Sequence, residues 1–444
     1  MERKRRIFVS MLVRENTIDV IVIGGGFSGL SAAYYLQKKG LNVKVFDASG
    51  RIGGRAKTDN IEGFQLDWGT HFYHHSTTEL KKIIDIGQLG LENIYPGYLL
   101  RYNDKFLLYS NPMLKTMDVF PTLLANNISA KDKLRLLGFS LKLKALSYSN
   151  IVRQTEMSTY QYLKRAGFAK QAIDSLFKPI ISAAIFDRNL QSSSKLSLLF
   201  LKSLFNDHVA LPKEGIGSIA DAMAKELTPA SVCLKSRVKN ITNDGVEFTD
   251  GRLINAKAVV IATNAIDAKK ICNNIEISTE STHISTLYFE AEKPPISKPI
   301  MMLNANEHGL VNHVFVPSIL HENYAPKGKH LIAVNIIEAN ELDDEELIAA
   351  VMVELSGWFG LQVKDWRHIK TYHIKYAMPF KPIIDNVEFS KHIGGNVFYA
   401  GDALSIGTME SALRSGRETA ENVAQFLKNE KSRQIQEKKT ILPE

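Results

Sequence analysis

The chain has 444 residues, of which 45% are hydrophobic and 23% are charged. This composition is typical of a globular protein with two or three domains, and it excludes a disordered or fibrous chain. The formal net charge of +8 comes from basic residues spread along the chain without a recognisable nucleic-acid motif, so we expect no nucleic-acid partner. No uninterrupted apolar run reaches the roughly 18 residues needed to span a bilayer, which argues against an integral membrane protein.

The cysteines and the N-terminal residues indicate the cellular compartment of the protein. Cys233 and Cys272 share no CxxC spacing and predict neither a disulfide framework nor a zinc site, which fits a reducing compartment. We therefore expect a cytoplasmic protein, with peripheral membrane association as the alternative. The segment 1–16 opens with four basic residues and a short apolar stretch. It is shorter than most signal peptides, so it is interpreted as a basic tail.

A glycine turn stands between a predicted strand and a predicted helix. Residues 19–23 are an apolar, β-branched run typical of a strand buried on both faces. Gly24, Gly26 and Gly29 follow at GxGxxG spacing, which permits a tight turn, close approach of backbone to a diphosphate and close helix–strand packing. The pattern over 30–39 is helical, so the amides at the helix N-terminus face the turn. This context predicts a dinucleotide site.

A carboxylate and a second pair of glycines follow the turn at the spacing that a dinucleotide site requires. A second strand is predicted over 41–46, and Asp47 closes it roughly 20 residues past the glycines, where a carboxylate accepts hydrogen bonds from an adenosine ribose. We expect the next residues to place two glycines and two guanidinium groups near the same diphosphate. These residues are Arg51, Gly53, Gly54 and Arg55.

The motifs DVIVIGGGFSGL and FDASGRIGGR resemble the flavin-containing amine oxidase superfamily, which groups amine oxidases, protoporphyrinogen oxidases and carotenoid or phytoene desaturases. The resemblance implies FAD as cofactor and an α/β fold, in which a Rossmann-like FAD-binding domain joins an α+β substrate domain carrying a helical insertion. The GGR segment would run along the pyrophosphate and flavin. The implied cofactor-binding residues are Gly24, Gly26, Phe27, Ser28, Gly29, Asp47, Arg51, Gly53, Gly54, Arg55, Gly69, Thr70, His71, Val238, Gly401, Asp402 and Met409.

The chain divides accordingly into discontinuous parts. Residues 17–105, 211–284 and 395–430 are assigned to the FAD-binding domain, and residues 106–210 and 285–394 to the helical insertion and sheet of the substrate domain. Residues 1–16 and 431–444 are assigned to tails.

Three histidines follow the GGR segment. The stretch 64–71 resembles the family segment that passes near the isoalloxazine ring, so His71 is a candidate for hydrogen bonding the ring or the substrate. His71, His74 and His75 cluster, but a metal site would need further ligands. An ordinary polar loop is favoured, and no metal is predicted.

The middle of the chain is predicted to be helical. Residues 131–146 form a basic amphipathic pattern in which Leu134, Leu137, Leu141 and Leu143 alternate with lysines. We expect this apolar face to pack on the domain core. A membrane-surface contact that admits a lipid-soluble substrate is the alternative.

Further elements complete both domains. Val238 matches the family position whose backbone holds the adenine. A proline and glycine turn leads into a helix after residue 211, and a helix over 343–359 repeats leucine and valine at helical spacing. The predicted strands of this part are 232–238, 245–249, 258–262 and 331–337.

The last informative stretch is 396–427. A strand runs into Gly401 and Asp402, and a helix begins near Thr408. This pattern resembles the closing FAD signature, in which Asp402 would hydrogen-bond the ribityl chain. The helix N-terminus would face the flavin's pyrimidine edge, where negative charge develops on reduction.

The implied activity is hydride transfer from a substrate C–H bond to flavin N5, which requires no assigned catalytic side chain. Oxygen or a quinone would reoxidise the flavin. In amine oxidases the final helix usually starts with a glycine and tyrosine pair, whereas this chain has Gly407 and Thr408. The sequence therefore favours an apolar substrate of the isoprenoid, polyene or tetrapyrrole kind. A flavin amine oxidase is the first alternative, and a non-catalytic prenyl-protein-binding module of the same fold is the second.

Overall fold

The structure is a computed structural model that describes residues 18–111, 114, 122, 124–338, 342–384 and 387–441. The predicted basic tail over 1–16 lies outside the described residues.

The strands alternate with helices along the first and last parts of the chain, and they dominate its third quarter. In chain order they are β1 (Ile18–Ile23), β2 (Val43–Phe46), β3 (Thr58–Ile61), β4 (Phe64–Asp67), β5 (Tyr73–His74), β6 (Glu92–Asn93), β7 (Gly97–Tyr102), β8 (Lys105–Ser110), β9 (Val209–Leu211), β10 (Val232–Cys233), β11 (Val238–Thr242), β12 (Gly245–Phe248), β13 (Leu253–Ile261), β14 (Ser281–Ala291), β15 (Met301–Asn304), β16 (Val311–Phe315), β17 (His330–Ile337), β18 (Arg367–Pro379), β19 (Lys391–Gly394) and β20 (Val397–Tyr399).

The helices concentrate between residues 130 and 206. They are α1 (Phe27–Lys38), α2 (Thr78–Lys81), α3 (Ala130–Ala145), α4 (Tyr148–Val152), α5 (Thr159–Arg165), α6 (Lys170–Ala172), α7 (Lys178–Ile185), α8 (Ser194–Asn206), α9 (Gly217–Lys225), α10 (Ala265–Ile271), α11 (Pro317–Leu320), α12 (Asp344–Phe359) and α13 (Met409–Ile441), with a π-helical turn over Ile173–Phe177 and short 3-10 turns elsewhere.

The first sheet carries the glycine turn at its centre. Its strands run in the order β10-β2-β1-β13-β12-β11, and β20 pairs with β13. The pairings of β1 with β2 and β13, and of β13 with β20, are parallel. Strand β1 is buried on both faces over Val20 to Ile23, as its uninterrupted β-branched run predicts.

The second sheet has the order β18-β14-β17-β16-β15-β7-β8. All of its pairings except β7 with β15 are antiparallel. One face packs on α12 through Leu347, Val351 and Leu355, which are fully buried. The other face joins the helices between 130 and 206 in a separate apolar core.

Three sequence-based boundaries differ from the structure. Strands β7 and β8 pair within the second sheet, although 97–105 was assigned to the FAD-binding domain. The single strand predicted over 232–238 is two strands, because Lys235 has a positive φ of 53° between them and the chain changes partner from β2 to β12. The predicted tail after 430 continues α13 as far as Ile441.

One segment, Asp344–Asp365, is long and apolar enough to cross a membrane by length and composition alone. The segment is interrupted by Glu354, so it holds no uninterrupted apolar run of about 18 residues. In the structure this segment is α12 with its following 3-10 turn, and its leucine and valine face is buried against the second sheet. These contacts are those of a helix that packs on a protein core.

The last helix packs closely on the first. Ser31 Oγ donates to the Leu413 carbonyl at 2.7 Å. A Cβ added at Gly416 would lie 2.2 Å from the Ser28 carbonyl oxygen and 2.7 Å from Ser31 Cβ. The two helix backbones can therefore approach this closely only because residue 416 has no side chain.

We expect Gly416→Ala to lower the free energy of unfolding by about 1–3 kcal/mol, because the added methyl overpacks the α1–α13 contact. Gly357→Ala is the matched control. Gly357 lies in α12 with no atom near an added Cβ, so alanine there should stabilise by up to about 1 kcal/mol. Denaturant unfolding measures both, and equal effects would contradict the packing assignment.

Candidate functional site

The glycine turn leaves one end of α1 open to a cavity. Gly24 has a φ of 109°, and a Cβ there would lie 2.7 Å from the Ala262 carbonyl oxygen. Gly26 is the N-cap of α1 and offers no side-chain cap. A Cβ at Gly29 would lie 1.9 Å from the Gly24 carbonyl oxygen, so the third glycine serves helix–strand packing. The unpartnered helix N-terminus suits a diphosphate.

The GGR segment lies directly against this turn. Gly53 N–H donates to the Gly25 carbonyl at 2.8 Å. A Cβ at Gly54, whose φ is 61°, would lie 3.3 Å from Gly26 Cα. Gly26 and Gly54 therefore lie in close contact, and a side chain at Gly54 would crowd the Gly26 backbone.

Asp47 closes β2 and fixes the surrounding loops. Its Oδ2 accepts from the Gly25 N–H at 2.7 Å, and its Oδ1 accepts from the backbone and hydroxyl of Ser49 at 2.7 and 2.6 Å. Ser236 N–H donates to the Asp47 carbonyl at 2.8 Å, and Ser236 and Val238 line the same cavity as Asp47.

Arg55 and Asp402 form an ion pair between the two ends of the chain. Arg55 Nη2 lies 2.5 Å from Asp402 Oδ2, and the Asp402 side chain is 5% exposed. Arg55 Nη1 also donates to the Ala377 carbonyl at 2.9 Å in β18. The guanidinium thus joins the GGR segment, the closing GD pair and the second sheet.

The Arg51 side chain has partners within the protein. Its Nη1 donates to the Thr58 carbonyl at 2.6 Å, its Nη2 pairs with Asp59, and the guanidinium stacks over Trp68. These partners hold the Arg51 side chain at the β3–β4 hairpin, and Arg51 is not among the residues that line the cavity.

Sequence reasoning missed Lys57. Its side chain lines the cavity, is buried and donates to Ser49 Oγ at 3.2 Å. Burial lowers the pKa of Lys57, and the nearby Asp47 carboxylate opposes this shift. Lys57 follows the GGR motif, whose arginine was a predicted cofactor ligand. Only the folded structure places the Lys57 ammonium beside Asp47.

The segment around His71 forms another wall. His71 Nε2 lies 2.9 Å from the Trp68 carbonyl, and burial together with Arg55 lowers the pKa of His71 to about 4. The ring is therefore neutral at physiological pH. Thr70 Oγ1 accepts from Asn335 Nδ2, whose amide oxygen accepts from Thr286 at 2.7 Å, so the second sheet fixes this wall.

His74 and His75 have separate partners. His74 Nδ1 is 3.9 Å from Asp207 Oδ2, whereas His75 Nε2 bonds Asn93 Oδ1 at 2.7 Å. Burial lowers the pKa of His74.

The Asp67 side chain is a buried carboxyl group that precedes the His71 segment in the sequence. Asp67 Oδ1 accepts from Thr58 Oγ1 at 2.6 Å and from the Ile216 N–H at 3.0 Å, and Oδ2 accepts from Tyr324 Oη at 3.3 Å. Burial raises the pKa of Asp67 from 3.8 to about 6, although these hydrogen bonds oppose the shift.

One cavity of about 1170 Å³ collects most of the predicted residues. Gly29, Arg51 and Gly69 are absent from its lining. The predicted residues that line it are Gly24, Gly26, Phe27, Ser28, Asp47, Gly53, Gly54, Arg55, Thr70, His71, Val238, Gly401, Asp402 and Met409.

Beyond these residues the cavity continues as a mainly apolar chamber between α7, α8 and the second sheet. Its volume exceeds the usual 300–1,000 Å³ of a small-molecule site, which leaves room for a dinucleotide and a second ligand. Side chains that line the chamber are Ile94, Tyr98, Ile180, Ala183, Ala184, Phe186, Leu196, Leu199, Phe200, Leu204, Val209, Met301, Met378 and Ile406.

A parallel sheet with a glycine turn at α1, a carboxylate after β2 and a returning segment from the chain's far end defines a dinucleotide-binding fold. The sequence profile described as flavin containing amine oxidoreductase matches residues 27–424. The chain belongs to this family.

Relatives with known names match over shorter stretches. Protoporphyrinogen oxidase 2 of Arabidopsis thaliana is 30% identical over 168 residues, covering 36% of this chain and 31% of that protein. Polyamine oxidase 2 of Arabidopsis thaliana is 47% identical over 73 residues, covering 16% and 15%. The match thus spans a third or less of each relative's length.

A solved structure of a redesigned putrescine oxidase superposes with a TM-score of 0.69 at 17% identity, covering 92% of this chain and 100% of that one. This likeness extends the shared fold over both sheets and the helices between them.

The family is one of flavin-containing oxidoreductases, and the cavity of this chain fits FAD. Side chains in place of Gly26 and Gly54 would crowd this part of the cavity. The open backbone amides at the N-terminus of α1 suit the diphosphate. FAD, when bound, accepts a hydride from the substrate.

We expect Lys57→Met to weaken FAD binding by about 10–100-fold, because a charge-assisted hydrogen bond contributes about 1.5–3 kcal/mol. Flavin fluorescence during titration of the apoprotein measures the dissociation constant. Lys235→Met is the matched control, since Lys235 is exposed beside the same loop and outside the cavity lining. Equal loss in both variants would contradict a direct contact.

Asp67 makes stability depend on pH. Because its pKa is raised from 3.8 to about 6 in the folded protein, folded protein binds the proton more tightly, and this contribution to stability is lost as pH rises through that interval. Relative to wild type, Asp67→Asn should gain about 2 kcal/mol between pH 4 and pH 7. Urea unfolding at both pH values measures the difference, and parallel pH profiles would contradict it.

Proposed function

We propose that the enzyme dehydrogenates an apolar substrate of the isoprenoid, polyene or tetrapyrrole kind. The apolar chamber beyond the cofactor residues is the observation that supports this proposal. Its walls come from α7, α8 and the facing side of the second sheet. A ligand there would lose its hydration shell without gaining polar partners, which favours apolar ligands.

The carboxylates that line the cavity support the same preference. An amine substrate would be protonated in water and would need an available carboxylate or an aromatic cage. Among the described residues, every lining carboxylate already accepts a hydrogen bond or ion pair from the protein. They are Asp47, Asp207, Asp267, Asp402 and Glu410.

The start of α13 also differs from an amine site. Gly407 has a φ of 74° and packs against Met378. Thr408 caps α13 by accepting from the Ser411 N–H at 3.2 Å. A threonine in this place offers the substrate no aromatic face, so half of the cage seen in the family's amine oxidases is missing.

The chain's own residues orient the reaction and exclude water. Arg55 and Asp402 hold the two cofactor-binding ends together, and the neutral His71 ring adds a polar wall without charge. We assign the predicted cofactor-binding residues that line the cavity to FAD, and we propose oxygen or a quinone as the acceptor. The protoporphyrinogen oxidase relative supports a tetrapyrrole among the apolar candidates, and the polyamine oxidase relative keeps the amine alternative.

A substrate of this class partitions into bilayers. We therefore also propose that the protein is cytoplasmic and makes a peripheral contact with a membrane.

Anaerobic bleaching of the flavin tests the substrate class. We expect the visible absorption of the holoenzyme to bleach on addition of a polyene or a porphyrinogen in detergent, and to persist with putrescine, spermidine or benzylamine. Bleaching by an amine alone would overturn the proposal in favour of the amine oxidase alternative.

A charged side chain introduced into the chamber tests whether the substrate binds there. Ala183→Asp places an unpaired carboxylate on the apolar wall, which should slow bleaching at least about tenfold. Ala349→Asp, on the exposed face of α12, should leave the rate unchanged. Equal rates in all three proteins would show that the chamber does not receive the substrate.

A further inference from the structure

Helix α3 presents an apolar strip to solvent. Leu134, Leu137 and Leu141 are 73%, 50% and 53% exposed. Only Leu143 of the predicted apolar face is buried, together with Phe139, so the expectation that all four leucines pack on the core was wrong.

The helical period explains this arrangement. With 100° between successive residues, the three exposed leucines share one side of α3 with Ala130, Gly138 and Ala145, and Phe139 and Leu143 lie on the opposite side. We call these six outward residues the leucine strip. All six lack charge, and they run the full length of a 16-residue helix.

Lysines flank the leucine strip on both sides. By the same period, Lys131 and Lys142 lie along one edge and Lys133 and Lys144 along the other. The acidic residue of α3, Asp132, is buried and bonded to Arg135 at 3.0 Å. The exposed face therefore combines an apolar centre with cationic margins, which is the pattern of a helix lying in a membrane interface.

The end of α3 adjoins the substrate chamber. Lys202 lines the cavity and donates to the Lys144 and Leu143 carbonyls at 2.8 and 3.3 Å. Tyr148, three residues beyond α3, lines the same cavity and is 42% exposed. The strip thus leads to the place where the chamber meets solvent.

We propose that the leucine strip docks this enzyme on an anionic lipid bilayer, with the opening near Tyr148 at the membrane surface. The inference rests on the proposed function for its purpose, since a bilayer would deliver an apolar substrate there. Charge complementarity selects this occupant. A second copy of the chain would bring lysine margins against lysine margins, and the basic segment 1–16 would be repelled by them.

Vesicle flotation of the full-length holoenzyme, without substrate, tests the docking. We expect binding to phosphatidylcholine vesicles containing about 30% phosphatidylglycerol, weaker binding to pure phosphatidylcholine, and release by about 0.5 M NaCl. The triple variant Leu134→Ser, Leu137→Ser, Leu141→Ser should bind at least about thirtyfold more weakly. Replacing all four flanking lysines by glutamine should weaken binding by about fivefold per lysine.

Matched variants separate the strip from other surfaces. Leu253, Val353 and Leu361 are 66%, 75% and 76% exposed outside α3, and their replacement by serine should leave binding unchanged. Equal loss in this control, or full binding by the strip variant, would overturn the proposal. Full binding would assign the membrane contact to another segment, such as residues 1–16.

Two further readouts identify rival occupants. If the strip variant loses clearly more stability than the roughly 1 kcal/mol that three serines cost in helix propensity, the leucines are covered within the chain. If it converts a wild-type dimer to a monomer, they face a second copy. Either result overturns the docking. Vesicle binding without bleaching by any apolar substrate would overturn the proposed function alone, whereas bleaching without vesicle binding would overturn the docking alone.

Discussion

The ion pair between Arg55 and Asp402 is the contact on which the cofactor cavity depends. It joins residues 347 positions apart and places a buried carboxylate against the GGR segment. Breaking such a pair leaves an uncompensated charge, which costs about 3–5 kcal/mol in a protein interior. The same guanidinium bonds the Ala377 carbonyl. One side chain therefore connects both cofactor-binding ends to the sheet that covers the substrate.

The two sheets divide the work of the enzyme between them. The first supplies glycine turns and helix N-termini, whose backbone amides suit a diphosphate whatever the substrate is. The second supplies one apolar wall of the chamber, and its Asn335 fixes Thr70 beside the cavity. Under the proposed function, the second sheet and the helices facing it would set the substrate preference, and the sequence carries no motif there.

The sequence predicted the features that depend on neighbouring residues. The strand, turn and helix around Gly24 to Gly29 have local causes, so their positions were predicted correctly. Arg51 and Lys57 show the limit. Both are cations near the GGR motif, but their direction depends on partners in β3 and on the Asp47 loop, and spacing could not separate them.

Helix α3 shows the same limit on a larger scale. Its amphipathic period was correct, but the period has two apolar sides, and only the packing of Phe139 and Leu143 reveals which one is covered. The division of residues 232–238 into two strands likewise follows from the turn at Lys235, which no local propensity of that residue predicts.

The pairing of β20 with β13 has a consequence for biosynthesis. Strand β20 and the start of α13 are made late, yet they lie beside β13 and α1, which are made earlier. A ribosome adds about 5–20 residues per second, so the first glycine turn emerges many seconds before the carboxylate that completes its cavity. The nascent chain therefore passes through a stage in which the parallel edge of β13 is uncovered, and the cavity is complete only after β20 and Asp402 have left the exit tunnel.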